Sequence, residues 1–173
     1  MDSRNIFIVG AMGSGKSSIG RLLAKKIKMQ FVDTDHEIER ISNHDISTIF
    51  EKYGEKTFRE KETEALIKLS GIKNHVIATG GGIILKKINI EFMKEKGLVV
   101  FLDIDLETQL KRVKYRKHRP LLKDFGLDEK LKILKNERDP IYNNISDYII
   151  DVSDKDKSAI VEEIENKLLW RKY

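Results

Sequence analysis

The sequence predicts an α/β fold built as one domain, a five-stranded parallel sheet flanked by helices. Three observations carry that expectation. Five short apolar runs, near 5–9, 30–35, 74–79, 98–102 and 148–152, alternate with longer stretches of helical periodicity. The first run is apolar without alternation, as a strand buried on both faces must be. Directly after it comes Gly10-Ala-Met-Gly-Ser-Gly-Lys-Ser17, which fits G-x-x-x-x-G-K-[ST], a phosphate-binding loop set between a strand and a helix.

A chain of 173 residues is about one domain, so residues 1–173 are read as a single unit with insertions. With 40% hydrophobic and 35% charged residues the balance is that of a soluble globular protein. No apolar run approaches a membrane span, and Met1–Asn5 leads straight into a strand, so no signal peptide is expected. The absence of cysteine excludes disulfides, thiol catalysis and cysteine zinc sites, and makes a cytoplasmic location the expectation. The net charge of +5 leaves 33 basic residues diluted by 28 acidic ones, which argues against nucleic acid and suits small acidic substrates. His36, His44, His75 and His118 have no metal-ligand spacing.

Each position of the loop has a physical task. Glycines let backbone wrap an anion at torsions a side chain forbids. The following helix offers unpaired N–H groups and the positive end of its dipole. Gly13, Ser14 and Gly15, with Lys16, Ser17 and Ser18 opening the helix, therefore form the expected nucleotide site. Lys16 suits the β and γ phosphates, and the Ser17 hydroxyl suits a magnesium ion. A flexible Gly/Ser turn is the plain alternative.

The first helix follows to about Met29, with Ile19, Leu22, Leu23 and Ile27 on one face. The second strand ends in Asp33 and Asp35, two residues apart, so both carboxylates are expected to project from one side of its C-terminal end. A capping box over Thr34–Glu37 is the competing explanation, and it accounts for one of these residues but not for Asp33. Helices are expected over 36–42, 45–53 and 55–69, with Gly54 as a stop and Phe58, Ala65, Leu66 and Leu69 inward. Arg59 and Glu62 sit at i and i+3, a spacing that by itself favours an ordinary surface ion pair. This helical segment, about 35–70, is longer than a crossover requires and has room for a substrate.

The third strand runs into Gly80-Gly81-Gly82, where close approach of backbone to a ligand, or a hinge, explains three glycines. A helix over 88–96 with Gly97 as its stop precedes the fourth strand. Asp105 caps the next helix, which passes Arg112 and reaches Arg116, Lys117 and Arg119 before Pro120 ends it. The aperiodic basic stretch, about 114–126, reads as a lid over nucleotide phosphates, with a merely solvated loop as the alternative. Residues 127–143 are helical, with Leu131 and Leu134 inward and Arg138 late in the pattern, and Pro140 is expected to kink or cut that helix. The fifth strand and a tail helix through Ile160, Ile164 and Leu168 complete the chain.

These groups point to phosphoryl transfer. The loop and Lys16 take a triphosphate, Ser17 and Asp33 take Mg2+, arginines neutralise the transferred oxygens, and Asp35 is left to remove a proton from an acceptor hydroxyl.

Taken together, the glycine loop ending Gly15-Lys16-Ser17, Phe31-Val-Asp-Thr-Asp35, Phe58-Arg59-x-x-Glu62, Gly80-Gly81-Gly82, Arg119-Pro120-Leu121 and Arg138-x-x-x-Tyr142 resemble the shikimate kinase family. The likeness runs from the first strand to the last. It implies a nucleoside-monophosphate-kinase-like P-loop NTPase that phosphorylates the shikimate 3-hydroxyl with ATP and Mg2+, toward aromatic amino acids. By the same resemblance Arg59, Arg138, Gly81 and Gly82 bind shikimate, the two arginines suiting its carboxylate. Asp35 is the implied base, Lys16 and Arg119 act on the transferring phosphate, and Arg112 stacks on adenine with 153–157 on the base's other side. The resemblance also moves Arg59 from surface pair to ligand. A monomer with small-molecule substrates, no nucleic acid and no membrane is expected. A gluconate or nucleoside-monophosphate kinase would share loop, fold and lid, and a non-catalytic nucleotide-binding module is disfavoured by the presence of both Asp33 and Asp35.

Overall fold

The computed structural model describes residues 4–114 and 126–170. Five parallel strands, β1 (Asn5–Val9), β2 (Gln30–Asp33), β3 (His75–Ala78), β4 (Gly97–Asp103) and β5 (Tyr148–Asp151), form one sheet in the order β2-β3-β1-β4-β5. All five predicted strands are present. β1 lies in the middle, in register with Val76–Ala78 on one side and Gly97–Phe101 on the other. That position explains its unbroken apolar run. Ile6 and Ile8 face a core layer with Ile19, Leu23, Val100, Leu102 and Ile160, while Phe7 and Val9 face a second layer with Leu66, Met93, Phe101 and Tyr142.

Helices α1 (Lys16–Lys26) and α7 (Lys157–Trp170) cover the first layer. The second is covered by α3 (Ile46–Ser70), α4 (Lys87–Lys96) and α6 (Leu127–Ile145). The short α2 (Thr34–Ser42) packs on α3 around a small core of its own, Ile38, Ile49, Phe58 and Ala65. The backbone of α3 leaves helical geometry at Gly54 (φ 77°, ψ 171°), where the sequence placed a stop. Asp105 precedes α5 (Leu106–Lys114) and caps it as expected, accepting from Thr108 N at 2.8 Å.

Two expectations are corrected. Asp35 is not on a strand: β2 ends at Asp33, whose side chain accepts from Asp35 N at 3.0 Å and so caps α2. Capping therefore accounts for Asp33, the residue it was expected to leave unexplained. Of the kink or cut expected at Pro140, the cut does not occur, for α6 runs through it to Ile145. A proline inside a helix costs about 3 kcal/mol. Beyond it, however, Tyr142 and Ile145 are buried, and each contributes roughly 1.5–3 kcal/mol to keeping the last turns on the sheet.

Residues 115–125 of the expected lid, about 114–126, lie outside the described residues, Arg116, Lys117, Arg119 and Pro120 among them. Among the described residues no helix is long and apolar enough to cross a membrane.

Candidate active site

The phosphate loop connects β1 to α1 through Gly10, Gly13 and Gly15, all at positive φ. Gly15 is the N-cap of α1, with no side-chain cap and no acidic residue in the first turn, so this end presents backbone N–H groups to an incoming anion. Lys16 Nζ donates to the carbonyl oxygens of Gly10 (2.8 Å) and Ala11 (2.9 Å), holding the cation over the loop. Ser18 Oγ donates to Gly15 O at 3.0 Å and thus braces the loop itself. Ser14 Oγ is buried and makes no hydrogen bond among the described residues. A further brace comes from α5, where Gln109 Nε2 donates to Met12 O at 3.0 Å.

Next to the loop lies a cavity of about 520 Å3, within the range of small-molecule sites. Its lining brings together Ser17, Asp33, Asp35, Arg59, Gly81, Gly82 and Arg138 from five separate stretches of chain. Met12 also lines it, and Ile46, Phe50 and Phe58 supply an apolar wall in which the two rings lie 4.6 Å apart. Gly13, Ser14, Gly15, Lys16, Ser18 and Arg112 are not part of this lining.

Arg59 is not a surface residue. Its Nη1 donates to Glu62 Oε2 at 2.8 Å, and their side chains are 12% and 1% exposed. Glu55 at the rim accepts from Nη2 at 3.0 Å. Because desolvation offsets most of the attraction in a buried pair, its main effect is to hold the guanidinium in one place rather than to stabilise the fold. Burial pushes the Glu62 carboxyl above its ordinary range; Arg59 opposes the shift and Asp35 adds to it.

The glycine run accommodates this pair. A Cβ on Gly82 would fall inside the Arg59 guanidinium, and one on Gly80 would lie 2.6 Å from Glu62 Oε1 and 3.0 Å from Asp35 Oδ1. What approaches the backbone here is protein side chain. Gly80 N is secured by donating to Thr34 Oγ1 at 3.0 Å. Gly81 O accepts from Arg138 Nη1 at 3.3 Å and from the Tyr142 hydroxyl.

Arg112 lies away from this cavity. Its Nη2 donates to Val152 O at 3.0 Å, and Asp105 N donates to Ser153 Oγ at 2.9 Å, so α5 and the start of the 153–157 loop stand side by side.

A family model described as shikimate kinase matches residues 12–169 of this chain. The chain belongs to the shikimate kinase family. Shikimate kinase of Caldanaerobacter subterraneus subsp. tengcongensis is 40% identical over 161 residues, covering 93% of this chain and 94% of that protein. The structure of shikimate kinase from Acinetobacter baumannii in complex with shikimate is similar at a TM-score of 0.95 and 41% identity, over 99% of this chain and 96% of that one. Deoxyadenosine kinase from M. mycoides with bound dATP, 18% identical with a TM-score of 0.62, shares the fold alone. As a family member the chain is a kinase of a small-molecule acceptor, with ATP as co-substrate.

Four contributors to this shikimate kinase site escaped the sequence. Spacing reads Glu62 only as the partner in a surface ion pair and Tyr142 stands only as a motif letter, although each lies one helical turn from an arginine of the cavity. Phe50 pairs with Phe58 on the cavity wall. Gln109 carried no signal, being 97 residues from the carbonyl it holds.

Proposed function

We propose that this chain transfers the γ-phosphoryl group of ATP to the 3-hydroxyl of shikimate, giving shikimate 3-phosphate and ADP. In a chain of the shikimate kinase family, one observation carries the reading: two guanidinium groups and a carboxylate, Arg59, Arg138 and Asp35, line one cavity beside the phosphate loop. Two forked cations suit a carboxylate, an apolar wall suits a carbocycle, and Asp35 suits hydroxyls.

Arg59 and Arg138 bind the acceptor carboxylate, and backbone at Gly81 and Gly82 borders the ring. Asp35 accepts a hydrogen bond from the 3-hydroxyl and takes its proton as the oxygen bonds to the γ-phosphorus. The bond from that phosphorus to the β–γ bridging oxygen breaks, and ADP leaves with the electron pair. Lys16 moves from its loop carbonyls to the β and γ phosphates, while Gly13, Ser14, Gly15, Ser17 and Ser18 cradle them. Arg119 brings a further cation from the lid, about 114–126, and Arg112 stacks on adenine against 153–157. The segment of about 35–70 acts as the acceptor-binding insertion of the single domain, 1–173.

Ser17 and Asp33 fit Mg2+, since a hydroxyl and a carboxylate are hard oxygen donors lining one cavity, and Asp33 spends one oxygen on the α2 cap and keeps the other. Mg2+ bound there supplies charge neutralisation to the phosphates. The reading further includes a monomeric cytoplasmic enzyme in the route to chorismate and aromatic amino acids, with no nucleic acid or membrane partner.

A coupled ADP-release assay with shikimate, quinate, gluconate and nucleoside monophosphates tests this. Turnover should be confined to shikimate, and Asp35→Asn should lower kcat by about 10²–10⁴-fold with nucleotide binding nearly unchanged. Preference for gluconate or a nucleoside monophosphate, or normal turnover by Asp35→Asn, would contradict it.

A further inference from the structure

Arg138 and Tyr142 stand four residues apart on α6 and donate to the same acceptor, the Gly81 carbonyl. Their bonds are unequal. Arg138 Nη1 reaches that oxygen at 3.3 Å, near the outer limit of a hydrogen bond, whereas the Tyr142 hydroxyl is in close contact with it. The tyrosine ring is fully buried and stacked on Phe101, centroids 4.9 Å apart and planes 20° apart, which leaves its hydroxyl little choice of direction. Burial also pushes the pKa of that hydroxyl well above its ordinary range, so it remains a donor at any working pH.

Arg138, by contrast, is loosely engaged. Its Nε is buried and makes no hydrogen bond among the described residues, and its Nη1 bond is long. A buried donor without a partner is costly, so this guanidinium would be drawn onto any acceptor left short of a donor. The Gly81 carbonyl is the acceptor it already touches. Gly81 also borders the phosphate loop, its Cβ position lying 3.5 Å from Gly10 O and 3.7 Å from Met12 N.

We propose that Tyr142 is a positioning residue of the acceptor site: by satisfying the Gly81 carbonyl it leaves the Arg138 guanidinium available to the acceptor carboxylate. The inference rests on the reading of Arg138 as a carboxylate ligand for shikimate. Without the hydroxyl, Gly81 O has Arg138 as its remaining donor, and each acceptor molecule must compete with that bond.

Tyr142→Phe keeps the stacked ring and removes only the oxygen. Steady-state kinetics should show KM for shikimate raised about five- to tenfold, with KM for ATP and kcat changed by less than about twofold. The variant should melt as a folded protein. In an Arg138→Ala background the same substitution should add less than about twofold, because the group it positions is gone. An unchanged shikimate KM in Tyr142→Phe overturns the proposal, as do equal rises in both KM values or effects that multiply in full in the double variant. Wild-type protein that fails to phosphorylate shikimate overturns the proposed function and this inference together; an active wild type with an indifferent Tyr142→Phe overturns this inference alone.

Discussion

Alanine at Gly82 tests whether the position of Arg59 sets acceptor binding. The new Cβ would stand 2.5 Å from Arg59 Cζ and 2.6 Å from Nη2, and closer still to Nη1. The backbone at Gly82, φ −101° and ψ 3°, is open to alanine, so the whole effect is the collision. Ordinary contact needs about 3.5 Å, so the guanidinium must retreat by about 1 Å. Retreat lengthens its 2.8 Å bond to Glu62, whose other oxygen, Oε1, is buried without a hydrogen bond among the described residues. Removing one member of a buried pair outright costs about 3–5 kcal/mol. Here the cation moves and keeps Glu55 within reach, so the expected loss of stability is smaller, about 1–2 kcal/mol. The carboxylate of the acceptor loses a charged hydrogen bond worth about 1.5–3 kcal/mol, which raises KM for shikimate roughly 10- to 100-fold. KM for ATP should be nearly unchanged. Kinetics with each substrate varied in turn, together with a thermal melt, measure all three quantities. A folded Gly82→Ala protein with the wild-type shikimate KM would refute the reasoning.

Two further expectations concern the scaffold. Gly10→Ala places a Cβ 2.6 Å from the backbone oxygen of Leu102 in β4 at a φ of 145°; a strand carbonyl cannot retreat as a side chain does, so calorimetry should show a loss of about 2 kcal/mol or more, and an unshifted melting temperature would contradict the geometry. Glu37 is held down to about 2 by its hydrogen bond from Arg40 and, more weakly, by Lys68, with burial opposing. Its folded value lies below its unfolded one, so the stability it contributes is present above about pH 4.5 and is lost as pH falls toward 2. Glu37→Gln should therefore melt lower at neutral pH and show a shallower decline between those values, and superimposable acid limbs would exclude this role.

The sequence alone determined the strands, the phosphate loop and the family, because each rests on interactions local in the chain. A run such as Phe7–Val9 reads as buried wherever it sits, and glycine spacing with Lys16 and Ser17 is a property of eight consecutive residues. Periodicity reached its limit at Asp33 and Asp35: it expected both on a strand, whereas the cap made by Asp33 turns the chain into α2 between them. At Pro140 local propensity predicted an interruption that burial of Tyr142 and Ile145 overrides. Tertiary structure alone decided the environment of side chains. The spacing of Arg59 and Glu62 announces an ion pair but cannot say that it is buried, because Gly80 lies against Glu62 and Gly82 against Arg59, some twenty residues away in the chain. Gln109 on Met12 and Tyr142 on Gly81 bridge 97 and 61 residues. Such contacts form only once the sheet has brought their elements together, and they decide what each arginine of the cavity is bonded to, Arg59 to Glu62 and Glu55 and Arg138 to the Gly81 carbonyl.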